Sequence, residues 1–139
     1  MTTSIREQLI AAVCTAMGAQ YGAYVDDQTA MPVTVVVDGT DSASNTYDLT
    51  TVSMPISVGR AEAVTAHAAP ETQRTQANAA LAKLITDMHA GGDFGGLCRS
   101  CEYTGGELEY HGDTHIVALA NFTLTYQHAR GNPSTQFPT

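Results

Sequence analysis

The most regular hydrophobic pattern in the sequence lies between Pro70 and Ala90. Apolar residues recur there at intervals of three and four, at Ala77, Ala80, Leu81, Leu84, Ile85 and Met88. Such a stripe is typical of an amphipathic helix that rests on a hydrophobic core. Proline is well suited to the first turn of a helix, and Gly91-Gly92 to its end. The pattern therefore predicts a long helix with one buried face.

A second pattern, with a period of two residues, runs from His115 to Gln127. One side carries Ile116, Ala118, Ala120, Phe122, Leu124 and Tyr126. The other side carries His115, Asn121, Thr123, Thr125 and Gln127, interrupted by Val117 and Leu119. This alternation predicts a strand with one face under a helix and the other wetted or only partly covered.

A shorter helix is predicted at the beginning of the sequence. Ser4 and Glu7 have the spacing of a capping box, with Ser4 as N-cap. Behind them an apolar stripe is formed by Ile5, Leu9, Ala12, Val13, Ala16 and Met17. Gly18 is expected to end this helix.

Two strands are predicted between the helices. Pro32–Val37 is rich in β-branched residues, and Tyr47–Val58 alternates, with Pro55 favouring an edge position or a bulge. Asp38–Asn45 contains turn-forming residues and is interpreted as an exposed, mobile loop. Gly59–Ala69 is expected to lead away from the sheet.

After the long helix, the sequence predicts a third strand at Leu97–Tyr103, a turn at Gly105-Gly106 and a fourth strand at Glu107–His111. Residues 131–139 read as a polar C-terminal tail. Residues 1–130 are thus expected to form a single α+β domain. Its predicted architecture is a two-layer sandwich, with a mostly antiparallel sheet of four to five strands and two helices on one face.

Composition narrows the possible functions. The 139 residues include 14 acidic and 6 basic side chains, for a net charge of −8. This balance argues against binding nucleic acid through phosphates, and no apolar run is long enough to span a membrane. There is no sign of a signal peptide, and three cysteines, an odd number, fit a reducing cytoplasm.

Two clusters of residues have the composition of chemical sites. Cys98 and Cys101 have metal or redox spacing, but three residues apart in a strand they should point to opposite faces. His111, Asp113 and His115 straddle a turn and could converge on a metal, although a polar surface hairpin is the commoner structure. The sequence therefore predicts no catalytic residue, no metal site and no cofactor.

The chain resembles the tail terminator proteins of long-tailed phages, the lambda-type minor tail or tail-completion group. The resemblance rests on the helix Ile5–Met17, the strand Asp48–Val58 leading into a helix at Glu71–Met88, and the strand Ala118–Tyr126. That strand is followed by Gln127–Pro133, where a basic residue precedes a small-residue turn and a proline.

The resemblance implies a structural virion protein and not an enzyme. Such subunits form a hexameric ring that caps the tail tube, stops its polymerisation and provides the surface that meets the head. The implied partners are the tail tube protein and a head-completion or neck protein, and DNA passes the lumen without specific binding. The implied location is the head-proximal end of the virion tail, after assembly in the host cytoplasm.

The candidate interface residues lie on predicted loops, where an ordinary exposed loop is the alternative interpretation. They are Asp38, Thr40, Asp41, Asn45, Arg60, Glu62, Arg130, Asn132 and Phe137. The alternative functions are a neck or head-completion ring protein, a small monomeric binding module, and a metal-dependent enzyme.

Overall fold

The computed structural model describes residues 3–22, 31–65, 68–112 and 114–136. Within them, two helices pack on one face of a seven-stranded mixed sheet that is mostly antiparallel and curled. The predicted α+β class is confirmed. The sheet has more strands than the four to five expected, because three of its strands are only two to five residues long.

The first helix, α1, spans Ile5–Met17 and has the predicted ends. The Glu7 backbone N–H donates a hydrogen bond to the Ser4 hydroxyl at 3.1 Å, as a capping box requires. Gly18 follows in the left-handed conformation, where glycine avoids the steric cost of a Cβ. Local sequence alone therefore determines both ends of α1.

The second helix, α2, spans Pro70–Ala90 and also matches the prediction. It begins with Pro70 and is followed by Gly91, whose N–H donates back to carbonyls of the last turn. The fully buried members of its apolar stripe are Ala77, Ala80, Leu84 and Met88. Three of these four positions are small or flexible, so α2 can lie close to the sheet.

The strands are numbered in chain order. They are β1 (Gln20–Tyr21), β2 (Val33–Asp38), β3 (Ser42–Asn45), β4 (Leu49–Ala63), β5 (Ser100–His111), β6 (His115–Ala129) and β7 (Asn132–Gln136). The main order in space is β1-β2-β4-β6-β5, with β3 also paired to β4 and β7 to β6. Among these described strands, only the β1–β2 pair is parallel. The 15-residue strands β4 and β6 pair along their whole length and form the centre of the sheet.

The region predicted as one loop, Asp38–Asn45, contains a strand. Residues Ser42–Asn45 form β3 and pair with Thr50–Ser53 of β4, although all four are exposed. The strand has no apolar anchor, so only its backbone pairing holds it in the sheet. The expectation for Gly59–Ala69 was also wrong in its first part, because β4 continues to Ala63 under pairing from both β2 and β6.

Two further predictions, both for the C-terminal half of the chain, are wrong. Gly105-Gly106 is not a turn, because β5 runs without interruption through both glycines and accommodates them with a bulge after Tyr103. The predicted tail begins with β7, which returns along β6 after a turn at Gly131. In both segments the residue types suit a turn, but pairing with β6 extends the strand.

Pro55 is not in an edge strand, since β4 has neighbours on both sides. Its carbonyl accepts a hydrogen bond from the Gly39 N–H at 2.8 Å. The nitrogen of a strand residue faces the same side as its carbonyl, so the Pro55 nitrogen faces the gap between β2 and β3. The missing N–H therefore costs the sheet no ladder hydrogen bond from β6.

The sheet has two unlike faces. The helix face is covered by α1 and α2 and carries the core, including Val52, Met54, Ile56 and Val58 of β4 and the predicted apolar side of β6. The open face is the opposite side, and neither described helix packs on it. No helix in the described part of the chain has the length and apolarity to cross a membrane.

Candidate functional site

Two of the predicted interface residues, Asp38 and Asp41, are bound within the molecule. The Arg6 guanidinium on α1 lies 2.6 Å from an Asp38 oxygen and 2.8 Å from an Asp41 oxygen, and also donates to the Gly39 carbonyl at 3.1 Å. Tyr21 donates a further hydrogen bond to Asp38. This Arg6 network fixes the start of the β2–β3 connection to α1, so that segment is not the free loop expected from sequence.

The network also changes proton affinities. The hydrogen bond from Tyr21, followed by the one from Arg6, holds the pKa of Asp38 below its usual value. The same bond raises the pKa of Tyr21, because the phenol donates to a carboxylate. Asp41 and then Asp38 raise the pKa of Arg6 further. The four groups form hydrogen bonds and ion pairs with one another, so the network has a structural role.

Arg60 and Glu62 are also paired with each other. Both lie on β4 two residues apart, on the same side of the strand, with Arg60 Nε 2.5 Å from a Glu62 oxygen. The second Glu62 oxygen accepts a hydrogen bond from Gln76 of α2 at 3.2 Å. These residues therefore join the end of β4 to α2 within one chain.

Three of the remaining candidates, Asn45, Arg130 and Asn132, lie near one end of the sheet. Asn45 accepts a hydrogen bond from Thr50, and Asn132 accepts one from the Ser134 N–H at 3.3 Å. Arg130 donates to the Thr46 carbonyl at 3.1 Å. Thr40 is exposed. Phe137 lies outside the described residues.

The cysteines do not point to opposite faces as predicted. Cys98 precedes β5 and belongs to the core, and Cys101 packs against the same core. The strand geometry that separates positions three apart does not apply, because β5 begins only at Ser100. Burial and the proximity of Cys98 raise the pKa of Cys101 to about 11, and burial raises that of Cys98. Both thiols therefore favour the protonated, unreactive form.

His111 and His115 face each other across the β5–β6 hairpin. Their rings are stacked, with centroids 4.4 Å apart and planes 6° apart. The lone pairs of imidazole nitrogens lie in the ring plane, so those of two stacked, nearly parallel rings stay in separate planes and do not converge on one metal ion. Among the described residues, no group of three His, Cys, Asp or Glu side chains is placed to hold a metal.

An apolar cleft lies on the open face near this histidine pair. The open-face cleft has a volume of about 200 Å³ and is lined by Val35, Gly59, Glu109, His111, Val117 and Leu119. Its lining comes from four neighbouring strands, and all six residues share the open face by register. Val35 and Val117 are each only 5% exposed, although neither described helix covers them.

Sequence reasoning missed this cleft. Val117 and Leu119 appeared there only as interruptions of a polar strand face. Their apolarity was the available signal, but the cleft depends on which residues of β2 and β5 lie beside them. That register is set by long-range pairing and is not encoded in any local pattern.

Comparison of the chain with protein-family models and with curated proteins gives no match.

Proposed function

We propose that this chain is a structural, ring-forming subunit of the tail terminator type. In this proposal, several copies close into a hexameric ring on the end of a phage tail tube, stop its growth and provide the surface for a head-completion or neck protein. It works through surfaces and carries out no chemistry. The head-proximal end of the virion tail is its proposed location.

The observation that carries the proposal is the contrast between the two sheet faces. One face is filled by α1 and α2, whereas the open face offers an apolar cleft at one end and hydroxyl and amide side chains along the rest. Removing water from such an uncharged surface costs little free energy, so the surface is suited to contact with a neighbouring protein. The net charge of −8 is compatible with DNA passing nearby without being held.

The internal pairing of charges also favours a structural role over an enzyme. Catalytic acids, bases and nucleophiles usually lie in a cleft, where their surroundings shift their pKa values toward the operating pH. The groups described above behave differently: the members of the Arg6 network are paired with one another, and the shift of Cys101 to a pKa of about 11 moves that thiol away from reactivity. Internal ion pairs and hydrogen bonds of this kind support the proposal of a structural subunit.

The test combines mass and activity on a tube. Light scattering over a concentration series, with and without magnesium, is expected to show a closed hexamer or its concentration-dependent formation. The protein is then added to polymerising tube protein of the same phage, with tube protein alone as the control. Capped tubes of limited length are expected by electron microscopy. Tubes that grow equally long with and without the chain would overturn the proposal.

A further inference from the structure

The turn between β3 and β4 holds an aromatic side chain in solvent. Tyr47 is 93% exposed, the highest exposure of any large hydrophobic residue described. The turn itself is ordered by hydrogen bonds: the Thr46 N–H donates to the Leu49 carbonyl at 2.8 Å, and Arg130 donates to the carbonyls of Thr46 and Asp48 at 3.1 and 3.0 Å. A tyrosine fixed on such a turn contributes nothing to the core, and it is suited to filling a cavity on another molecule.

The open-face cleft has the size and chemistry to receive one aromatic ring. Its volume is about 200 Å³, and apolar cavities of roughly 150 Å³ hold a benzene molecule. Val35, Val117 and Leu119 provide apolar walls. Gly59 keeps the floor open, because a Cβ at that position would come within 2.9 Å of a Leu119 methyl group.

The tyrosine and the cleft lie at opposite ends of the same strand. Leu49, next to the turn, and Gly59, in the cleft, are ten residues apart along β4. At about 3.3 Å per strand residue, this separates them by roughly 33 Å. A chain therefore cannot place Tyr47 in its own cleft. Two different surfaces at opposite ends of a subunit are what a head-to-tail contact requires.

The charges beside the two features are complementary. Arg130 lies against the Tyr47 turn through its bond to Thr46. Glu109 lies on the rim of the cleft, beside His111 at 3.8 Å. The exposed cation beside the turn therefore has a carboxylate, Glu109, as its counterpart on the rim of the cleft.

We propose that Tyr47 of one copy inserts into the open-face cleft of the next copy, with Arg130 facing Glu109 across the contact. The occupant of the cleft is thus a second copy of this chain. The inference rests on the proposed ring and deepens it, by naming the two surfaces that meet between neighbouring subunits. Each copy donates one tyrosine and receives one, so the contact propagates until the ring closes.

The first test replaces the tyrosine in the full chain. Tyr47→Ser should raise the concentration needed for association at least tenfold, measured by sedimentation velocity, because a buried aromatic anchor dominates such contacts. Its thermal unfolding should not change, since the side chain is exposed in the monomer. Tyr110→Ser is the matched control: Tyr110 is 47% exposed but lies on the helix face by register, and association should be unaffected. Equal association of Tyr47→Ser and the unmodified chain would overturn the contact.

The second test exchanges the charges. Arg130→Glu and Glu109→Arg should each weaken association when the variant is alone, because like charges then meet across the contact. An equimolar mixture of the two variants should associate again, since opposite charges meet at every contact when the two kinds of copy alternate. The double variant, in which both charges are exchanged, should also recover most of the original association. No recovery in the double variant would count against the pairing of Arg130 with Glu109.

A third test asks which ends meet. Thr46→Cys, which keeps Tyr47 on the turn, and His111→Cys are prepared separately and treated with a short bismaleimide. A crosslinked pair should form much faster in the mixture than in either variant alone, with the unmodified chain giving the background of the native thiols. Equal rates in the three samples would contradict a head-to-tail contact.

These results separate the contact from the function. If the unmodified chain arrests tube growth but Tyr47→Ser associates normally, the proposed function is supported and the proposed contact is overturned. A chain that stays monomeric at all concentrations loses the contact as well, whereas its function is still decided by the tube assay. Tubes that are not arrested, together with a tyrosine-dependent oligomer, would leave the contact established and overturn the function.

Discussion

The two faces of the sheet are built from the same strands but have different composition and surroundings. On β6, Phe122 points to the helix face and is 1% exposed, whereas the neighbouring Thr123 points to the open face and is partly exposed. On the helix face, the apolar side chains of β4 and β6 meet the stripes of α1 and α2. On the open face, polar side chains bond to each other across strands, such as the Ser57 hydroxyl to the Asn121 amide oxygen at 2.7 Å.

This difference separates stability from recognition. The helix face buries the apolar area that drives folding. The open face contributes less to folding, so its residues can change without unfolding the domain and are available for contacts with another molecule. The open-face cleft, an apolar feature on the side that no described helix covers, is therefore more informative about partners than any residue of the core.

The largest expected effect comes from removing the centre of the helix face. Phe122 contacts Tyr103 at 5.6 Å and His89 at 6.3 Å between ring centroids. Phe122→Ala should lower the free energy of unfolding by about 3–5 kcal/mol, because it removes buried area and leaves a cavity. Urea unfolding measures the loss. Phe122→Leu is the graded control and should cost about 1–2 kcal/mol; equal losses for the two variants would show that cavity size does not control this site.

The helix face was largely predictable from sequence, because its signals are local. The capping box at Ser4, the end of α1 at Gly18 and the stripe of α2 each depend on residues within one or two helical turns. The alternation of β6 was equally clear, since both its period and its length indicate a half-buried strand. These elements needed no knowledge of what they pack against.

The remaining strands could not be predicted because pairing, and not propensity, creates them. Ser42–Asn45 and Asn132–Gln136 consist mostly of residues typical of turns and loops, yet β4 and β6 supply hydrogen-bonding partners for both. Asp38, Asp41, Arg60 and Glu62 were candidates for an interface because they lie on predicted loops, and their contacts with residues of α1 and α2 are not visible in the local sequence. Arg6 and Asp41, for example, are 35 positions apart.

A smaller effect is expected from breaking the Arg6 network at the edge between the two faces. Arg6→Ala should lower the free energy of unfolding by about 1–2 kcal/mol, because two carboxylates and a carbonyl lose a partly buried cation. Lys83→Ala, which breaks the exposed pair with Asp87, is the control and should cost roughly 0.3–0.5 kcal/mol. Similar losses in denaturant titrations would mean that the Arg6 network is no stronger than a surface pair.

The same network should respond to acid. The folded state lowers the pKa of Asp38, so its stabilising contribution is present above the unfolded value, about 3.9, and is lost as the pH falls through the lower folded value. Asp38→Asn should therefore be less stable than the unmodified chain at pH 7, and the difference should shrink toward pH 3.

Tyr21→Phe provides the comparison for this acid response. It removes the hydrogen bond that contributes most to the lowered pKa of Asp38 and keeps the carboxylate. We expect the loss of stability in acid to be smaller than in the unmodified chain and to be complete at a higher pH, because the folded pKa of Asp38 moves back toward its unfolded value. Urea midpoints measured between pH 7 and pH 3 give both curves. If the urea midpoints of Tyr21→Phe and the unmodified chain fall equally toward pH 3, the lowered pKa of Asp38 would be assigned to Arg6 alone.

The smallest effect should come from a substitution on the open face, which is compared with the reverse substitution on the helix face. Thr123→Val keeps the β-branched shape on the open face, so the free energy of unfolding should change by no more than about 0.5 kcal/mol. Val58→Thr makes the reverse exchange on the helix face, where Val58 is fully buried, and the new hydroxyl should cost about 1–3 kcal/mol. Since the two substitutions exchange the same pair of residue types, their difference measures what the face itself contributes. If Thr123→Val instead stabilised the chain by about as much as Val58→Thr destabilises it, the open face of the isolated chain would be as dry as its core, and the separation of stability from recognition would fail.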